Sequence, residues 1–205
     1  MTLSLPRLLI LLVVVTVLQA RYNATLPLSG DEAYYWVWSH ILQLSYHDHP
    51  PAIALAIRAT TAVLGDTVYG IRLVAALCVT GSLFFIWRLT STVYGGEAPL
   101  WALGLGFILP MTQMGYVLAT PDAPLVLFWA AGAAFGLDAV TGPGRWRDYL
   151  LAGVFAGLAM ASKYTGVLLP ISVFVFVVVR RRDLLKSPKL WTAVGVAALV
   201  FSPVV

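Results

Sequence analysis

Long apolar runs separated by short polar punctuation define this chain. A membrane-crossing helix takes about 20 apolar residues, with a range of about 17–25. Runs near that scale cover 6–24, 68–90, 98–118, 124–140, 149–161, 165–179 and 190–205. The breaks between them are "YGGE" at 94–97, "ATPDAP" at 119–124, "TGPGRWRD" at 141–148 and "RRRDLLKSPK" at 180–189, rich in the glycine, proline and charge that end helices. Residues 149–179 are almost continuously apolar around "SKYTG". As one helix they would reach about 46 Å, well beyond the ~30 Å hydrocarbon core. The "RWR" and "RRR" clusters flanking this run belong on one side of a membrane, which requires two crossings. The pattern predicts an all-α polytopic membrane protein with about seven transmembrane helices.

Residues 25–67 break the pattern. Tyr34, Val37, Trp38 and Ile41 fall on one helical face, with Glu32, Ser39 and Gln43 largely opposite. Ser29 or Gly30 can cap this helix, and two acids in its first turn suit the helix dipole. A second helix is predicted to start at Pro51 and stop before Gly65. Both are too short to span. They read as interfacial helices in the first outer loop, with Tyr34, Tyr35, Trp36 and Trp38 at headgroup depth.

Composition agrees. Apolar residues make up 60% of the 205 positions and charged residues 11%, against about 45–50% and about 25% in soluble domains. A net charge of +4 gives no reason to expect nucleic-acid binding. Its distribution matters more: with the N-terminus inside, Arg7, Arg88, Arg145, Arg147, the 180–182 triplet, Lys186 and Lys189 fall inside, while Arg21, Arg58, Arg72 and Lys163 fall outside. The single cysteine, Cys78, lies in an apolar run and reads as packing, which excludes a disulfide framework. The first run has the length of a signal-peptide core but Leu18 where a small residue is preferred, so it reads as an uncleaved span. "NAT" at Asn23 matches a glycosylation pattern but lies too close to that span to be read as a site.

Three loops then share the outer face, and they carry the candidate chemistry. Asp31 and Glu32 are either solvated acids at a helix N-terminus or a general base at the membrane surface. "HDHPP" supplies His47, Asp48 and His49: a polar turn, a weak metal-ligand set, or a phosphate contact through His49. Asp122 is a loop acid at a span boundary. Lys163, between two apolar segments, either snorkels or meets an anion. Arg58 and Arg72 are further phosphate candidates. Glu97 and Asp138 sit inside and bound the spans. Transporters place ionisable groups near the bilayer midplane; clustering at one face favours surface chemistry over a lipid or solute carrier, with a non-catalytic membrane subunit as a third reading.

"DEAYYWVWSHILQLSYHDHPP", the Arg-Leu pair at 72–73, "TPDAPLVLFW" and "GLAMASKYTGVLL" occur in this order. Together they resemble the C-type (GT-C) polyprenyl-phosphate-sugar-dependent glycosyltransferases, on the side of the protein mannosyltransferases and aminoarabinose transferases. The resemblance implies catalytic carboxylates at Asp31, with Glu32 beside it, and at Asp122. It implies substrate binding by Asp48, His49 and Lys163, with Arg58 and Arg72 as second-tier contacts. The implied donor is a polyprenyl-phosphate-linked sugar, the acceptor a lipid, glycan or protein, and the reaction an inverting transfer at the extracytoplasmic face of a bacterial inner membrane. No cofactor is required, and a divalent metal is an option the scheme does not call on. Relatives of this kind continue for several more spans, so residues 1–205 are expected to be an N-terminal transmembrane catalytic module, truncated within its last span.

Overall fold

A computed structural model describes residues 4–204. Among these residues the secondary structure is helical, with no strand. The helices are α1 (Leu5–Asn23), α2 (Gly30–His40), α3 (Ala52–Leu64), α4 (Val68–Val93), α5 (Ala98–Ile108), α6 (Pro110–Val117), α7 (Asp122–Thr141), α8 (Trp146–Ser162), α9 (Leu168–Arg180) and α10 (Pro188–Phe201). Short 3-10 turns at Tyr164–Val167, Arg182–Lys186 and Ser202–Val204 extend α9 and α10. Each predicted apolar run is helical over most of its described residues. By length and composition, α1, α4 and α7 can each cross a membrane alone, and the bent pair α5–α6 can serve as a fourth crossing. The remaining apolar helices are shorter. The apolar helices make this a multi-pass membrane protein.

The chain divides into two compact units. One runs to Gln43 and resumes over Ile53–Pro124; the other comprises Leu44–Ala52 and the chain from Leu125 onward. The first unit is built on α1 against α4. Leu8, Leu12 and Ala20 of α1 bury against Ala76 and Leu83 of α4, with Leu103 of α5 and Tyr116 of α6 closing the cluster. A polar thread runs through it: the Thr16 and Thr80 hydroxyls lie 2.6 Å apart, and Thr80 lies 3.3 Å from the Tyr116 hydroxyl. Such bonds contribute modestly in lipid but fix register between helices.

The run 98–118 is not the single straight span its hydropathy suggested. It bends by 63° between α5 and α6. Pro110 has no N–H to continue the ladder, and its ring clashes with the preceding turn. The break is stitched by a side chain: Gln113 Nε2 donates to the Phe107 carbonyl at 2.6 Å, and Gln19 Nε2 of α1 donates to Gln113 Oε1 at 3.0 Å.

In the second unit, α8 packs closely on α10. A Cβ at Gly153 would stand 2.4 Å from the Ala193 carbonyl, and one at Gly157 would stand 2.8 Å from the Ala197 carbonyl and 2.6 Å from Val200 Cβ. The G-x-x-x-G spacing thus lets two backbones approach in a way no side chain would permit. The run 149–179 breaks in two at Lys163, whose backbone is extended between α8 and the turn Tyr164–Val167. That turn folds back onto α8 because Gly166 has no side chain; a Cβ there would lie 2.3 Å from the Ala159 backbone.

Candidate functional site

The first-unit site is organised by a buried ion pair. Ser29 caps α2 and forms a capping box with Glu32: Glu32 N–H donates to Ser29 Oγ at 3.2 Å, and Ser29 N–H donates to Glu32 Oε2 at 2.9 Å. From that first turn the Glu32 carboxylate points inward and is fully buried. It meets Arg72, near the start of α4: Nε donates to Oε1 at 2.8 Å and Nη2 to Oε2 at 2.7 Å. Ala119 N–H, just before α7, donates to Oε1 at 3.3 Å. A carboxylate has about four acceptor positions, and all are taken. Burial pushes the Glu32 acid up, but hydrogen bonds from Arg72, Ser29 and Ala119 and the Arg72 charge outweigh it, and the net shift is below the ordinary value.

Arg72 is equally occupied. Beyond its two bonds to Glu32, Nη1 donates to the Asn23 and Leu26 carbonyls and Nη2 donates to the Pro27 carbonyl. These use all five N–H donors of the guanidinium. Asn23 extends the hub by donating Nδ2 to the Tyr116 carbonyl at 2.9 Å, and it is buried, in keeping with the reading of "NAT" as chance. The hub therefore ties the end of α1, the start of α2, the start of α4, the end of α6 and the approach to α7 into one end of this unit. Glu32 and Arg72 were expected at the surface as catalytic and phosphate-binding groups. The geometry corrects that placement, because neither has exposure or a vacant hydrogen-bonding position with which to meet a substrate.

Asp31, the neighbour of Glu32, is exposed in the first turn of α2. Asp122 is exposed in the first turn of α7. Arg58, on α3, is also exposed. The buried face of α2 is Glu32, Tyr35, Trp38 and Ser39 rather than the Tyr34–Ile41 stripe; Tyr34, Val37 and Ile41 are exposed. A second anchor was missed in the sequence. Asp66, in the α3–α4 turn, accepts from Trp36 Nε1 at 3.0 Å and lies 3.4 Å from His40 Nε2. The signal for it was a lone Asp after the helix-ending Gly65, opposite a tryptophan and a histidine one turn apart.

The second unit holds the remaining candidates. Tyr46 N–H donates to the His49 carbonyl at 3.1 Å, folding His47 and Asp48 into a tight loop, and Pro50 and Pro51 behind it are buried. The Ser45 hydroxyl lies 3.4 Å from the Tyr164 hydroxyl, so this loop and the Lys163 turn lie against each other. His47 and Asp48 are exposed, while His49 and Lys163 are half-buried. Among the described residues no three His, Cys, Asp or Glu side chains gather as a metal-binding group, those of His47, Asp48 and His49 included. An apolar groove between α7 and α9 is lined by Trp129, Leu137, Leu169, Val173 and Phe176.

The lipid A galacturonosyltransferase of Rhizobium johnstonii is 34% identical over 137 residues, covering 65% of this chain and 28% of the relative. The undecaprenyl phosphate-alpha-4-amino-4-deoxy-L-arabinose arabinosyl transferase 1 of Pseudomonas fluorescens is 28% identical over 149 residues, covering 70% of this chain and 26% of the relative. The corresponding arabinosyl transferase of Pseudomonas aeruginosa is 27% identical over 164 residues, covering 75% and 28%. The chain thus spans about a quarter of the length of these curated relatives. No solved structure matches it. The sequence profile of the dolichyl-phosphate-mannose-protein mannosyltransferases matches residues 48–205, most of the chain, which therefore belongs to that family.

Proposed function

We propose that this chain belongs to a membrane glycosyltransferase that moves a sugar from a polyprenyl-phosphate donor to an acceptor at the extracytoplasmic face of a bacterial inner membrane. The observation that carries the reading is the pairing of an exposed Asp31 with a buried, saturated Glu32. One acid of the pair is locked into the fold, and the other is held on a fixed helix turn facing out. Relatives named for undecaprenyl-phosphate-linked aminoarabinose and for lipid A support a polyprenyl-phosphate donor and a lipid acceptor.

In this reading Asp31 takes the proton of an acceptor hydroxyl as its oxygen attacks the anomeric carbon. The bond from that carbon to the donor phosphate breaks on the opposite side, and the polyprenyl phosphate leaves with the electron pair, so the configuration inverts. General-base help of this kind is worth about 10²–10⁴-fold. A phosphate leaving group is already a stable anion and calls for cationic stabilisation more than for a general acid. Lys163 and His49 of the second unit are assigned that role, and the groove between α7 and α9 is assigned the prenyl tail. Asp48 and Asp122 are assigned to orienting substrate, and Arg58 to a peripheral phosphate contact. Glu32 and Arg72 become positioning residues. The seven-span topology with the N-terminus inside, and α2 and α3 lying in the interface, belong to the same proposal.

The test is transfer of labelled sugar from an undecaprenyl-phosphate donor to lipid A in membranes carrying this chain, wild type against Asp31→Asn. The proposal expects loss of transfer at unchanged membrane abundance. Wild-type transfer by the Asn variant removes Asp31 from the mechanism.

A further inference from the structure

We propose that the end of the second unit formed by the α7–α8 and α9–α10 connections is a binding face for anionic phospholipid headgroups. The inference is independent of the transferase reading. The two connections are packed together there. The Arg181 guanidinium donates to the Val140 carbonyl, joining the end of α9 to the end of α7. The Lys189 ammonium donates to the Gly144 carbonyl at 2.7 Å and stands 5.7 Å from the Trp146 ring centroid, joining the start of α10 to the α7–α8 turn. Beneath them Val140, Tyr149, Val177 and Leu190 form a buried floor. Two segments far apart in sequence thus share one surface.

The charge on that surface is lopsided. Residues 138–148 and 180–189 hold seven lysines and arginines against three aspartates, a net +4 that equals the +4 of the whole chain. The rest of the protein is balanced. Of the three acids, Asp183 is taken up by Arg181, with Nε–Oδ1 and Nη2–Oδ2 both at 3.0 Å, and Asp138 and Asp148 are half-buried. Arg145, Arg147, Arg180, Arg182 and Lys186 are exposed.

The surroundings decide what these cations meet. Phe174, Val175, Phe176 and Val179 of α9 are exposed immediately before Arg180. In a multi-pass membrane protein such side chains face acyl tails, which puts the next turn at headgroup height. Trp146 and Trp191 are about half exposed at the same end, as tryptophans at a membrane–water boundary are. A polynucleotide or an acidic protein would answer the charge but leave the apolar rim and the tryptophans without a role. An anionic lipid answers all three, and each cation near such a surface strengthens attraction about fivefold.

The test uses nanodiscs of phosphatidylcholine and phosphatidylglycerol in equal amounts, with lipids retained by the purified chain counted by native mass spectrometry. The proposal expects several-fold enrichment of phosphatidylglycerol on the wild type, falling as salt rises. Replacing Arg145, Arg147, Arg180 and Lys186 together by glutamine is expected to bring retention down to the mixture ratio. Exchanging the same arginines for lysine and Lys186 for arginine is expected to preserve the enrichment. Retention in the mixture ratio by the wild type, enrichment indifferent to salt, enrichment kept by the glutamine set, or enrichment lost in the charge-preserving set would each overturn the proposal.

Discussion

Glu32 and Arg72 stand forty positions apart in sequence and meet in two parallel hydrogen bonds of 2.8 and 2.7 Å, with side chains 0% and 1% exposed. Removing one partner of a buried pair strands the other, at a cost of about 3–5 kcal/mol. Glu32→Leu and Arg72→Met are each expected to lower the thermal midpoint of the detergent-solubilised chain sharply. The double variant is expected to lose less than the two singles added. Arg72→Lys is expected to behave like a loss, because a point ammonium cannot serve five acceptors in a fixed fork. Additive losses in a double-mutant cycle would show that the pair is not coupled.

The same pair sets an acid limb in stability. The folded Glu32 acid lies below its ordinary value of 4.5. A depressed folded value means the unfolded chain binds a proton first as pH falls. The contribution is therefore whole above about 4.5 and is lost as pH drops through the lower folded value. Thermal midpoints measured from neutral pH down to the acid range are expected to fall below 4.5 in the wild type and to flatten there in Glu32→Gln. An identical acid limb in that variant would assign the loss to other carboxylates.

How far the sequence carried is visible in these two residues. The apolar runs, the capping signal at Ser29, the start and stop of α3 and the break at Lys163 were legible, because each rests on local chemistry that a short window contains. The partnership of Glu32 with Arg72 was not, because it depends on four chain segments meeting at one end of a unit. Which side of α2 packs inward was not legible for the same reason: the cation that meets Glu32 lies on another helix. Asp31 was legible as a first-turn acid, whereas Asp122, read as a loop acid, proves to open α7, and Pro110 was a visible warning of the α5–α6 bend that hydropathy averaged away.

That bend gives a third prediction. Gln113 supplies the donor that the broken ladder leaves missing at Phe107, and Gln19 Nε2 orients it by donating to Gln113 Oε1. Leaving a fully buried carbonyl without its partner costs about 1–3 kcal/mol, and this part-buried one is expected to cost less. Gln113→Leu is expected to lower the thermal midpoint and to speed amide exchange around 105–113, with Gln19→Leu producing a smaller effect in the same region. Equal protection in both variants and the wild type would mean that the bend is held by packing alone.

Small residues carry the α8–α10 contact. A leucine at Gly157 would drive side-chain atoms into the Ala197 carbonyl and Val200, and overpacking of this kind costs about 1–3 kcal/mol. Gly157→Leu is expected to destabilise the chain and lengthen the α8–α10 separation, read by spin-label distances between the two helices. Gly195→Ala on α10, where a Cβ meets nothing within 4 Å, is the matched control and is expected to be neutral. A neutral Gly157→Leu would show that the helices can part without cost.

Lys163 gives the prediction closest to function. Its backbone is extended between α8 and a 3-10 turn that Gly166 presses against α8, so the lysine sits on a fixed corner rather than on a loose loop. A lysine on such a corner can present its ammonium to an anion at headgroup depth. If its partner is the donor phosphate, Lys163→Ala is expected to weaken retention of undecaprenyl phosphate at least tenfold in native mass spectrometry, while Lys163→Arg keeps most of it. Asp31→Asn is expected to leave that retention unchanged, since its proposed work concerns the acceptor. Equal lipid retention by Lys163→Ala and the wild type would reduce the lysine to an interfacial anchor and move the phosphate site to His49 or Arg58.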